Sequence, residues 1–145
     1  MIVYLSLGAN LWDREKTINE AISLLSRSGN VFCQSHFYYS EPWGFESEHP
    51  FCNCCVGIRT KQDLFALLED TQAIERQLGR TAKSRPAASS DKPVYADRCI
   101  DIDLIRAFDE KGDEIFISSP TLTIPHPLWE QRDFVVVPLR ELLLD

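Results

Sequence analysis

Basic residues are in the minority in this chain. Fifteen Lys and Arg stand against 22 Asp and Glu, for a net charge of −7. That balance excludes a general nucleic-acid or anionic-membrane surface, which needs a basic field. An anionic ligand held in a local basic cleft stays open. Long apolar runs are also missing: nothing approaches the ~20 residues of a membrane span. The opening MIVYLSLGAN lacks the basic residues and the apolar length of a secretory signal, so the cytoplasm is the expected compartment. Glycine is scarce at six residues, and none falls in a GxxxxGK[ST] or GxGxxG pattern. A nucleotide, if one is used, is not held by a P-loop or a Rossmann turn. The GxSxG nucleophile elbow is absent too, as is any internal repeat. Cysteines number five, at 33, 52, 54, 55 and 99. An odd count in strand-like apolar runs reads as buried free thiols. A zinc site built from Cys52, Cys54 and Cys55 is disfavoured, because Cys55 would point away from the other two and no usual four-ligand spacing follows.

What is present is a chain of one-domain length, 145 residues, with enough apolar character for an ordinary core. Residues 2–7 read as a buried strand that Gly8-Ala9-Asn10 breaks. Ile18, Ala21, Ile22 and Leu25 recur at helical spacing over 13–27, with Asp13 as N-cap. Residues 31–40 and 51–60 are β-branched and aromatic enough for strands, with a Pro/Gly loop at 41–50 between them. Leu64, Leu67, Leu68, Thr71, Glu75 and Leu78 form one stripe of a second helix over 62–78, which Gly79 stops. Residues 80–97 have no periodicity, and a loop of that length in a compact domain is functional or disordered. A fourth strand at 99–106 follows, then a turn at Lys111-Gly112-Asp113 into a short strand at 114–117, a helical turn at 127–132, and a closing strand or helix from Val135 to Leu144. The order β-α-β-β-α-β predicts a single α+β domain, 1–145, of the ferredoxin-like kind: an antiparallel sheet with both helices on one face and a small C-terminal hairpin or helix appendage. The other face is then free for a site.

The chemistry gathers around RCIDIDLI, 98–105. In a strand, Asp101 and Asp103 share a face about 6–7 Å apart and repel each other. Hard cations relieve that repulsion, and Mg²⁺ favours one or two carboxylates plus water and phosphate. Arg80, Lys83, Arg85 and Arg98 lie on or beside the long loop, which suggests metal plus phosphate. Glu75 sits on an otherwise apolar stripe, where a carboxylate needs a partner, structural or ligand. In IPHP, 124–127, prolines flank His126 and fix its place in the chain.

Several segments together resemble one family: YLSLGAN, FYYSEPWG, FCN, TQAIERQLGR, RCIDIDLI and IPHPLWEQRDFVVVPL, in this order and with this spacing. The chain is similar to 6-hydroxymethyl-7,8-dihydropterin pyrophosphokinases of folate biosynthesis. The resemblance implies a ferredoxin-like fold, transfer of pyrophosphate from ATP to the pterin hydroxymethyl group, release of AMP, and two Mg²⁺ ions bridging ATP to Asp101 and Asp103. It implies Arg80 and Arg98 as catalytic arginines. Gln72, Glu75, Lys83, Arg98, Leu104, Thr123, His126 and Arg132 would meet ATP. Gly8, Ser40, Pro42, Trp43, Phe51, Asn53, Tyr95 and Phe134 would meet the pterin, with Phe51 and Phe134 stacking on its two faces. ATP and the pterin are the expected partners, with neither nucleic acid nor membrane, and a monomer is expected. Phe51 stands where the family often has Tyr, Tyr95 where it has a loop Trp, and Thr121 where it has a basic residue.

Overall fold

The structure, a computed structural model, describes residues 1–10, 13–40, 50–82 and 100–143. Its main sheet holds β1 (Ile2–Ala9), β2 (Asn30–Gln34), β3 (Tyr38–Ser40), β4 (Phe51–Arg59) and β5 (Asp101–Phe108). The order is β2-β4-β1-β5, with β3 also on β4, and all pairs are antiparallel. With α1 (Arg14–Leu25) and α2 (Leu64–Ala82) this is the ferredoxin-like α+β arrangement.

Alternation along the strands builds two cores. Val3, Leu5, Leu7 and Ala9 of β1, Cys52, Cys54, Val56 and Ile58 of β4, and Ile102 and Leu104 of β5 pack with Ile18, Ala21 and Leu25 of α1 and Leu64, Leu67, Ile74 and Leu78 of α2. The second core lies on the other side and contains Tyr4, Cys55, Ile105, Val135 and Leu139. It exists because the chain end, α3 (Asp133–Leu143), is a helix that packs on β4, β3 and β1. The expectation of a wholly free second face is therefore corrected: α3 covers part of it, and the candidate site residues Asn53, Asp101 and Asp103 lie on the rest.

Four local expectations also change. Gly8 and Ala9 do not break β1; both stay in register, Gly8 opposite Asn53 and Asp101. Residues 31–40 form two strands, because Ser35–Phe37 place three residues against two of β4, a bulge that the Ser35 hydroxyl patches by accepting from the Cys55 N–H at 2.9 Å. Gly79 does not stop α2. The helix starts on the Asp63 cap, whose carboxylate accepts from Ala66 N at 2.9 Å, and runs on to Ala82. One interior glycine costs a helix only about 1 kcal/mol, which the buried stripe outweighs. Last, the short strand expected at 114–117 is not formed as one element. Glu114 makes a single bridge, to Phe108, while β6 (Ile117–Ser118) pairs with β7 (Thr123–Ile124). Among the described residues, no helix is long and apolar enough to cross a membrane.

Candidate active site

One row of cross-strand partners forms the floor of the site. Tyr38 pairs with Asn53, Asn53 with Gly8, and Gly8 with Asp101. Partners opposite each other share a sheet face, so Asn53 and Asp101 stand on the same side, about 10 Å apart across one strand. Gly8 between them has no side chain to fill the gap. Asp103 lies two residues further along that face, opposite Ser6.

Asn53 is buried, and its orientation is set. Its Nδ2 donates to the Tyr38 carbonyl at 3.1 Å and to the Ser40 hydroxyl at 2.9 Å. With both amide protons used, the remaining function is the acceptor Oδ1, which sits 2.8 Å from where a Cβ on Gly8 would be. The Phe51 ring is 3.6 Å from the same point. Phe51 and Phe134 are both half-buried, the first opening β4 and the second in the first turn of α3. Arg132 projects over Phe134, with its guanidinium carbon 5.8 Å from the ring centroid.

The carboxylate end is electrostatically crowded. Glu75 reaches from α2 to the outer edge of β5, where its Oε2 accepts from Ile102 N at 2.7 Å. Burial pushes its carboxyl up to about 7; the Ile102 hydrogen bond opposes this, and the Asp101 and Asp103 charges add to it. Sequence reading made Glu75 a structural partner of an arginine or a ligand group; it is instead hydrogen-bonded to the Ile102 main chain and to the Asp101 side chain. The excess negative charge at this end fits a cation ligated by the aspartates. Among the described residues no three His, Cys, Asp or Glu side chains form a ready-made metal cage. Mg²⁺ does not require one, since water and phosphate complete its shell.

His126 closes the other wall. Its main-chain N–H donates to the Ile105 carbonyl at 2.8 Å, which ties the segment after β7 to β5. Leu128 N donates to its Nδ1 at 3.2 Å, so the neutral ring carries its proton on Nε2. Burial lowers the His126 pKa, as does Arg132, against an opposite pull from Asp101. It is thus a neutral donor near a carboxylate.

The remaining candidates are dispersed. Gln72 is exposed on α2, three residues before Glu75, and Thr123 is exposed on β7. Leu104 turns its side chain into the helix-side core, at 3% exposure. Only its main chain can meet a ligand, and strand alternation turns that the same way as the outward N–H of Ile102. Arg80 lies on α2 rather than in a loop. Pro42, Trp43, Lys83, Tyr95 and Arg98 lie outside the described residues. Sequence reading missed the Tyr38 carbonyl and the Ile102 N–H, because main-chain groups acquire roles only once register is known.

An acidic strand pair, an amide fixed as an acceptor, and a neutral imidazole beside an arginine make a cleft chemically suited to a polyanion next to a planar ring, as in a group-transfer enzyme. The chain matches the sequence model of the 7,8-dihydro-6-hydroxymethylpterin-pyrophosphokinase family over residues 4–144, and it belongs to that family. It is 47% identical over 142 residues to a 2-amino-4-hydroxy-6-hydroxymethyldihydropteridine pyrophosphokinase of Porphyromonas gingivalis, covering 97% of this chain and 89% of that one. The enzyme of the same name from Bacillus subtilis is 35% identical over 143 residues, covering 97% and 77%. A crystal structure described as HPPK-DHPS in complex with substrates aligns with TM-score 0.60 at 14% identity, over 98% of this chain and 40% of that one, a likeness of fold alone. The activity of the family is pyrophosphate transfer from ATP to hydroxymethyldihydropterin, in folate biosynthesis.

Proposed function

We propose that this chain, acting as one catalytic domain and a cytoplasmic monomer, carries out that transfer with two Mg²⁺ ions held by Asp101 and Asp103. The observation that supports the reading is the row Asn53–Gly8–Asp101, with an amide acceptor and a carboxylate at its two ends and no side chain between them. The Asn53 Oδ1 accepts from the N–H edge of the pterin. Phe51 and Phe134 stack on its faces, and Ser40, Pro42, Trp43 and Tyr95 complete its surroundings. The hydroxymethyl oxygen then points along the row toward Asp101.

That oxygen attacks the β-phosphorus of ATP. The bond from β-phosphorus to the oxygen bridging it to the α-phosphate breaks, AMP leaves, and the hydroxyl proton passes to solvent. When bound, Mg²⁺ supplies charge neutralisation of the phosphates and acidification of the hydroxyl. His126 donates from Nε2 to a phosphate oxygen, and Arg132, Arg80, Arg98 and Lys83 offset the remaining charge. Gln72, Glu75, Thr123 and the main chain of Leu104 border the nucleotide. Phosphoryl-type transfer needs alignment more than covalent catalysis, and the lack of any nucleophile motif accords with that.

The test is to incubate the protein with Mg-ATP and 6-hydroxymethyl-7,8-dihydropterin and to follow AMP. Pterin-dependent AMP is expected, and Asp101→Asn or Asp103→Asn should cut it by at least roughly 100-fold with the fold intact. ADP as the only nucleotide product, or a wild-type rate in either variant, would overturn the mechanism.

A further inference from the structure

The pterin wall hangs on a short strand. β3 has three residues and, among the described residues, pairs only with β4, yet its Tyr38 carbonyl and Ser40 hydroxyl are what orient the Asn53 amide. The first turn of α1 reaches across to hold it. The Tyr39 hydroxyl donates to Glu15 Oε2 at 2.6 Å. The Arg14 guanidinium lies over the Tyr39 ring, 5.3 Å from its centroid, and its Nη1 donates to the Pro50 carbonyl at 2.8 Å. Pro50 directly precedes Phe51, and Ser40, next to Tyr39, is the cross-strand partner of Phe51. One arginine and its neighbour thus tie both strands together at the end of the ladder where Phe51 stands.

These residues are not where stability of their own elements would put them. Arg14 is the first residue of α1, where a cation meets the positive end of the helix dipole. Tyr39 leaves 52% of its surface exposed, so little apolar burial holds it. What both gain is the link between α1 and the β3–β4 end.

We propose that Arg14, Glu15 and Tyr39 are positioning residues for the pterin: a clamp that fixes the β3–β4 end, and through it the aim of the Asn53 amide and the Phe51 ring. The clamp rests on the reading of Asn53 and Phe51 as pterin-binding. None of the three touches substrate; they act through the two that do.

Steady-state kinetics in both substrates test this on Arg14→Ala, Tyr39→Phe and Asn53→Ala, with Glu20→Ala on the exposed side of α1 as control. Arg14→Ala is expected to raise the KM for pterin roughly five- to tenfold, the scale of one charge-assisted hydrogen bond. Tyr39→Phe, which removes one hydroxyl, should raise it about threefold. In both, the KM for ATP and kcat should stay within about twofold, and Arg14→Lys, which can still donate to the Pro50 carbonyl, should recover part of the loss. If Asn53→Ala raises the pterin KM while Arg14→Ala and Tyr39→Phe do not, the clamp is wrong and the pterin site stands. If Asn53→Ala has no effect, the site reading falls and the clamp with it. Equal losses toward both substrates, tracking a lowered Tm, would reduce the cluster to a structural role and overturn the proposal. Should Arg14→Ala fail to fold, Tyr39→Phe decides on the same criteria.

Discussion

Gly8→Ala adds one carbon to the floor of the site, and the consequence can be worked out atom by atom. The new Cβ would stand 2.8 Å from Asn53 Oδ1, with Phe51 at an ordinary 3.6 Å. The first contact is about half an ångström closer than a normal C···O approach. Gly8 is paired on both sides, with Asn53 and Asp101, so the strand has little freedom to retreat. The amide must yield, but it is tethered at 3.1 Å to the Tyr38 carbonyl and at 2.9 Å to the Ser40 hydroxyl. Moving it by half an ångström takes both bonds to the limit of useful geometry. Losing them costs about 1–3 kcal/mol, or about 5- to 150-fold in affinity where the amide orientation serves binding. The floor also rises where the ring must lie. Calorimetric titration with a pterin analogue should show at least roughly tenfold weaker binding, while nucleotide affinity, proposed to depend on residues beyond Asp101, changes less than about twofold. Urea unfolding should show a loss of about 1–2 kcal/mol. Wild-type pterin affinity in Gly8→Ala would refute the reasoning. A double mutant refines the test: if the clash is the cause, Gly8→Ala should add little on top of Asn53→Ala.

Two other predictions concern the walls. Glu75 ionises near 7 in the fold against an ordinary 4.5, so between those values the folded protein binds more protons than the unfolded chain. Stability should therefore fall as pH rises from about 4.5 to 7 and level off above, by about 2 kcal/mol after allowing for partial exposure. Denaturation at several pH values should show Glu75→Gln flattening that slope, and parallel wild-type and variant profiles would contradict it. On the opposite wall, Arg106 holds Glu114 through two bonds of 2.8 and 2.9 Å and lies over the Trp129 ring at 5.5 Å, so it braces the turn between His126 and Arg132. Glu114→Gln should lower stability by about 1 kcal/mol and raise the KM for ATP a few-fold with pterin KM unchanged, as read by denaturation and kinetics. An effect on pterin instead would show that the brace serves the wrong wall.

How much of this was legible beforehand depended on whether the signal was local. The α1 cap at Asp13, the helix stripes and the alternation in β4 are local, and they appear as expected: Cys52 and Cys54 go to one core and Cys55 to the other. The pairing of Asp101 and Asp103 on one face was also legible, because side-chain period in a strand is fixed. Gly8 and Gly79 were misread as breakers. Glycine disrupts a strand or helix on average, but each is retained here by something distant: at Gly8 the space that Asn53 needs, at Gly79 the length of the buried stripe on α2. Ile74, next to the polar Glu75, is also buried on that stripe. The candidate site could be listed from the sequence as residue types but not as a geometry. Nothing in FCN says that its asparagine donates to Tyr38 and Ser40, since that follows from the β3–β4 register.

The register also explains why an acidic protein suits a polyanionic substrate. The carboxylates sit at one end of the floor, and Glu75 is raised toward neutrality by burial first, with the Asp101 and Asp103 charges adding to it. On the proposed metal assignment, a cation at that end would relieve this crowding of negative charge. The acceptor end needs no such relief, because Asn53 is neutral and its protons are already spent. If the proposed assignment holds, the two ends answer to different variables: pterin binding to the mechanical aim of an amide, nucleotide binding to charge. The physics therefore separates their responses. Salt and pH should move nucleotide affinity through Glu75 and the aspartates, whereas substitutions in the β3–β4 end should move pterin affinity and leave its salt dependence unchanged.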